Sequence, residues 1–237
     1  MPLTKRIVVL ANSIKKQARC IAGIEVGSGR ELDPAGWVRP VSDESEGELR
    51  PRHMQVNGGG VLNVLEIVDV PLLHGADDRV HPEDWIIDLD RKWERKARFD
   101  TAALGDLEEE PLDLWLESTS RTDRVRPAFL SNREAHQSLY LIRPANLRLR
   151  LWTEFNQFKG RDQKKSRAVF DYNGWGYSLS LTDPVATDRY CRQFPAVDEQ
   201  PREFPLACGD RCLLCVSLTP EFNGYHYKVV ATVLQLP

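Results

Sequence analysis

Short runs of β-branched and apolar residues recur along this chain at close spacing. None extends into the i, i+3, i+4, i+7 stripe of a long amphipathic helix. That pattern directs a chain of 237 residues towards strands closed by turns and few helices, the makings of small barrels. Lys5-Arg6-Ile7-Val8-Val9-Leu10-Ala11 reads as a buried strand, and Cys20-Ile21-Ala22-Gly23-Ile24-Glu25-Val26 as a second. Gly36-Trp37-Val38-Arg39-Pro40-Val41 reads as a third, with Trp37 and Arg39 on one face because strand side chains alternate. Residues 61–73 read as a strand or strand pair, and 82–88 as a short helix or the opening of a strand. Residues 93–116 read as mainly helical or irregular, and 119–134 as a flexible connection.

The β pattern returns at 138–144. Residues 146–152 then alternate, with Leu147, Leu149 and Leu151 on one face and Arg148, Arg150 and Trp152 on the other. Asn173-Gly174 is a strong hairpin signal between strands at 168–172 and 175–181. A short helix is expected at 187–194, and strands at 211–218 and 225–236 close the chain.

Composition sets the setting. At 41% hydrophobic and 28% charged, the chain can bury a core without disulfides, and five Cys is an odd number for a disulfide framework. No apolar run approaches the ~20 residues of a membrane-crossing helix, and the run at 7–11 is too short for a signal-peptide core. A cytoplasmic protein with no membrane partner is expected. Charge is segregated: residues 42–117 hold 20 acidic and 8 basic side chains, residues 119–167 hold 12 basic and 4 acidic. Either the basic part meets an anionic partner, or the two halves neutralise each other.

Nucleotide-binding loops, zinc-protease helices and serine elbows are missing, so no cofactor is expected. Cys208, Cys212 and Cys215, with Cys191 or a His, have the spacing of metal-ligating thiolates. Yet alternation sends Cys212 and Cys215 to opposite faces, so no metal site is assigned. Asp88, Asp90 and Lys92 supply the residue types of a metal-dependent nuclease, in a segment where such triplets are common by chance. The remaining signal is cations mixed with rings. Arg148, Arg150, Trp152, Lys164, Lys165 and Arg167 combine what single strands require, positive charge along phosphates and flat rings under bases. Lys15, Lys16 and Arg19, with Trp37 and Arg39, repeat the theme near the start.

Several blocks together resemble the bacterial dual-OB-containing domain family. They are Arg6-Ile7-Val8-Val9-Leu10-Ala11-Asn12-Ser13, Gly36-Trp37-Val38-Arg39-Pro40-Val41-Ser42, His81-Pro82-Glu83-Asp84-Trp85, Ser138-Leu139-Tyr140-Leu141-Ile142, Phe170-Asp171-Tyr172 and Leu214-Cys215-Val216-Ser217-Leu218. Their order spans nearly the whole chain. The acidic segment at 43–48 and the run Glu108-Glu109-Glu110 are particular to this sequence. The resemblance implies a mainly β chain of two tandem OB-like barrels with a few short helices. The first is expected over 1–118 with an acidic insertion, a basic connection over 119–137 and the second barrel over 138–237. It also implies a nucleic-acid- or nucleotide-binding component of prokaryotic conflict or defence systems, and carries no catalytic residues. The expected function is therefore non-enzymatic binding of nucleic acid, single-stranded DNA or RNA, within a defence or repair assembly. The alternatives are an adaptor that docks a partner protein and a metal-dependent nuclease.

Overall fold

β1 (Leu3–Lys15) is long enough for two neighbours: its first half pairs antiparallel with β4 (Glu66–Gly75) and its second half with β2 (Ala18–Val26). β3 (Leu32–Val41) pairs antiparallel with β2 and parallel with β5 (Asp84–Ile87), which returns to β4. The order β1-β2-β3-β5-β4-β1 closes a five-stranded barrel, the architecture of an OB fold. Gly23 makes the closure possible, because a Cβ there would lie 2.1 Å from the Val8 carbonyl oxygen. β6 (Glu94–Arg98) extends the sheet beside β4. These relations come from a computed structural model that describes residues 3–15, 18–27, 32–44, 47–117, 122–132, 137–157, 160–193, 200–206, 208 and 211–237, leaving aside the side chains of 15, 32–35 and 191–193.

The second sheet begins with β7 (Arg124–Val125), β8 (Leu139–Ile142), β9 (Ala145–Asn156) and β10 (Arg161–Tyr172). It continues with β11 (Trp175–Leu181), β12 (Arg202–Pro205), β13 (Cys212–Leu218) and β14 (His226–Gln235). Its path is β12-β9-β10-β11-β14-β13-β8, with β7 against β14. Only Arg143 and Pro144 separate β8 from β9. Proline has no N–H for a ladder, so one long strand is interrupted there. Its β8 half pairs with β13 and its β9 half with β10, the division of partners seen in β1. Read that way, the first barrel's strand order recurs, including a parallel pair, β11 with β14. Asn173 and Gly174 both have positive φ, 48° and 78°, and set Tyr172 opposite Trp175, the tight hairpin the dipeptide predicts.

Two segments differ from expectation. Residues 93–116 hold β6 and a 3₁₀ turn at Thr101–Leu107, because Arg95 and Lys96 lie in a strand beside β4 instead of on a helix. Within the expected flexible connection, the described part forms β7 and a short helix, α1 (Pro127–Ser131). α1 buries Leu130, and the Lys228 amide donates to the Asp123 carbonyl at 2.7 Å. Among the described residues the longer helix is α2 (Pro184–Gln193), which follows β11.

Burial divides into three layers. Ile7, Val9, Ile21, Val38, Val68 and Val70 fill the first barrel. Leu149, Leu151, Phe170, Leu179, Leu214 and Val230 fill the second. Between them the outward side chains Val8, Leu10, Ala22, Ile24 and Trp37 of the first barrel meet Leu139, Leu141, Leu213, Cys215 and Ala231 of the second. The outer face of β1–β3 is thus covered by the β8–β13–β14 side of the other barrel.

Candidate nucleic-acid interface

The leucines of β9 enter the second barrel, so alternation turns Arg148, Arg150 and Trp152 outward. The antiparallel register sets Val169 opposite Arg148, Arg167 opposite Arg150 and Lys165 opposite Trp152. β11 adds Ser178 and Ser180, opposite Val169 and Arg167. Four cations and an indole therefore share one face. None is fully buried. Acidic neighbours hold some of them: Glu203 on β12 accepts from Arg150 and lies 3.3 Å from Arg148, Asp123 pairs with Arg167, and Lys165 stands 3.8 Å from Glu154. Lys164 points to the other side of β10, is exposed, and lines a groove beside α2.

Next to this face lies a group that sequence reasoning missed. β7 pairs with the start of β14, setting Arg124 opposite Tyr227. The Arg124 guanidinium lies 5.6 Å from the Tyr225 ring and 5.9 Å from the Tyr227 ring. Phe222, 63% exposed, sits 6.5 Å from Tyr227 between ring centroids, on the β13–β14 turn. Asp123 joins this group to the outer face through its pair with Arg167. Its residues come from a two-residue strand and a turn, where no periodicity marks them.

Trp37 and Arg39 do share a face, as alternation requires, but that face is inside the molecule. The expectation that they meet ligand is corrected by their burial. Trp37 is 5% exposed and its indole N–H donates to Glu109 at 2.9 Å. Glu109 also accepts from the Leu141 amide at 2.8 Å and from Gln137, which draws the acidic run into the seam. Burial holds the Glu109 carboxyl above its ordinary value. Arg39, 8% exposed, pairs with Asp84 at 2.5 Å. Beside that pair, the Asp78 carboxylate lies 2.9 Å from Nδ1 of His81, whose Nε2 is buried with no partner among the described residues. Arg19 lies on β2, its guanidinium 3.4 Å from the Asn12 side-chain oxygen, in a cleft between the barrels. Lys15 ends β1 with its side chain outside the described residues, and Lys16 lies outside them altogether.

The segregated charge is partly neutralised within the chain, since Arg143 pairs with Glu108 and Arg126 with Glu117. Asp88 is buried and accepts the Asp90 amide at 3.0 Å. Among the described residues the one cluster with metal-ligand chemistry is Asp78, His81 and Asp84, and it includes none of Asp88, Asp90 and Lys92. Cys212 and Cys215 enter different layers, as alternation predicts. A hydrogen bond with Cys212 pulls the Cys208 thiol down to about 7. Cys191 lies in α2, its side chain outside the described residues.

No helix is long and apolar enough to cross a membrane among the described residues. Compared with known families, residues 5–233 match the model of the dual OB-containing domain. No curated protein and no solved structure matches.

Proposed function

Because the chain belongs to the dual OB-containing domain family, we propose that it is a nucleic-acid-binding module that holds single strands on the outer face of its second barrel. OB barrels commonly bind through the outer face of their second and third strands and the adjoining loops. In the first barrel those strands are β2 and β3, and their outer face is covered by the other barrel. In the second they are β10 and β11. This asymmetry carries the proposal: the uncovered outer face of β10 bears Lys165 and Arg167, and on the neighbouring β9 the same face carries Arg148, Arg150 and Trp152. The cations follow phosphates while Trp152, with Tyr225 and Phe222 at the adjoining turn, offers flat surfaces to bases. Glu203 holds Arg148 and Arg150 in exposed ion pairs weak enough for a phosphate to displace, whereas Arg167 is held more firmly, by Asp123 and the Ser178 carbonyl. Service in a prokaryotic defence or repair assembly, beside a partner protein, belongs to the same proposal and is motivated by the family resemblance.

Fluorescence anisotropy with labelled single- and double-stranded DNA and RNA across a salt series tests it. Trp152→Ala is expected to weaken single-strand binding by about 1–3 kcal/mol, and Arg150→Glu to weaken it and flatten the salt dependence. Glu203→Gln, which releases Arg148 and Arg150, is expected to tighten it. Unchanged affinity in all three variants, or no binding near physiological salt, would overturn the proposal.

A further inference from the structure

The seam between the barrels opens into a cleft of about 790 Å³. One wall, from the first barrel, carries Arg19, Arg98 and Val61; the other, from the second, carries Val185, Arg189 and Thr232. Three features of the cleft suit a ligand. Arg98 is exposed and its guanidinium has no partner among the described residues. The Thr232 hydroxyl, on a residue 2% exposed, is buried without a hydrogen-bond partner among the described residues. Val61 and Val185, one on each wall, are 65% and 70% exposed, unusual for aliphatic side chains in a recess. The N-terminus of α2 adds nothing to anion binding here. Its first amides already donate to the Asp183 carboxylate, at 2.8 Å from Val185 and 3.0 Å from Ala186.

The cleft is not isolated. A groove beside it contains Lys164, Lys165 and Ile14, and shares Pro184 and Asp188 with the cleft. Lys165 also belongs to the outer face, opposite Trp152. Outer face, groove and cleft thus form one continuous track around the start of α2. Cations recur along it, from Arg150 through Lys165 and Lys164 to Arg19 and Arg98. Exposed aliphatics accompany them, with Ile14 at 42% exposure between the two valines and the outer face. Exposed acids interrupt the track: Glu203 and Glu154 on the outer face, and Asp188 where groove and cleft meet.

We propose that the inter-barrel cleft is a second subsite for the same single strand, which runs from the outer face of the second barrel past the start of α2 and between the barrels. Phosphates would meet Arg98 and Arg19, bases would rest against Val61 and Val185, and the Thr232 hydroxyl would gain the partner it lacks. The inference rests on the outer-face reading, because the cleft extends that face.

The two are separable by strand length. Anisotropy is measured with oligo-dT and oligo-rU of about 6, 12 and 18 residues, since one OB barrel occupies about 4–16. The shortest is held by the outer face alone. Affinity is expected to rise at least about tenfold from the shortest to the longest, and Arg98→Glu to abolish that gain while leaving the shortest unchanged. Thr232→Val, nearly isosteric, is expected to reduce binding of the longest several-fold while the unliganded protein melts no lower. If length brings no gain, or Arg98→Glu affects no length or all lengths alike, the second subsite is overturned and the outer face stands. If no oligonucleotide binds, both fall.

Discussion

The Arg39–Asp84 pair and its neighbours show how one side chain's setting fixes its chemistry. Arg39, Asp84, Asp78 and the His226 ring surround His81 at the seam, and the Glu83 carboxylate, bound to Ser138, adds its charge to the Arg39–Asp84 pair. Burial, reinforced by the Arg39 charge, holds the His81 imidazole below its ordinary value of 6.5. The folded protein therefore keeps this ring neutral at a pH where the unfolded chain already takes up a proton. Its contribution is fully present above about pH 6.5 and is lost as pH falls towards the lower folded value. Urea titrations should show the wild type losing stability relative to His81→Gln between about pH 7 and pH 5. Parallel pH profiles would show that the ring titrates alike in both states. Asp78, held well below the usual carboxylate range by its hydrogen bond to His81, begins to matter only in stronger acid.

Strands and helices were largely legible, and the exceptions share a cause. The run Ile7 to Ala11 is apolar at every position, the mark of a strand covered on both faces, and both faces of β1 are covered. Alternation along β9 placed three leucines inside and Arg148, Arg150 and Trp152 outside. Alternation also paired Trp37 with Arg39, but no local pattern reveals that another barrel docks on their face. β7 was missed because two residues carry no period. α2 begins earlier than expected, at Pro184, because Asp183 caps it. Asp183 also accepts the Val233 amide at 3.1 Å, tying the helix to β14. Asp183→Ala should therefore cost about 1–2 kcal/mol, with Asp183→Ser recovering part of it in chemical denaturation. No measurable loss would mean that the cap does not hold the helix.

Across the whole molecule the shared layer makes two barrels into one folding unit. Separating them would expose Val8, Leu10, Ile24 and Trp37 on one side and Leu139, Leu141, Leu213 and Cys215 on the other, all buried. Scanning calorimetry should give a single transition with matching calorimetric and van't Hoff enthalpies. Two resolved transitions would show that the barrels unfold independently. The same layer explains why the proposed binding surface was only half legible: its second-barrel part follows from local alternation, whereas the covering of Trp37 and Arg39 on the first barrel follows from docking of distant segments.

The long pairing of β9 with β10 has a mechanical consequence. The two strands are in register from Arg148 opposite Val169 to Asn156 opposite Arg161. A strand of nucleic acid gripped there and pulled along β9 would load those hydrogen bonds in shear, sharing the force across the ladder instead of peeling it bond by bond. Past Pro144 the load would pass to β8, anchored in the seam by β13 and Glu109. Under the proposed binding the broken strand would thus work as a tether, with the grip at one end and the anchor at the other.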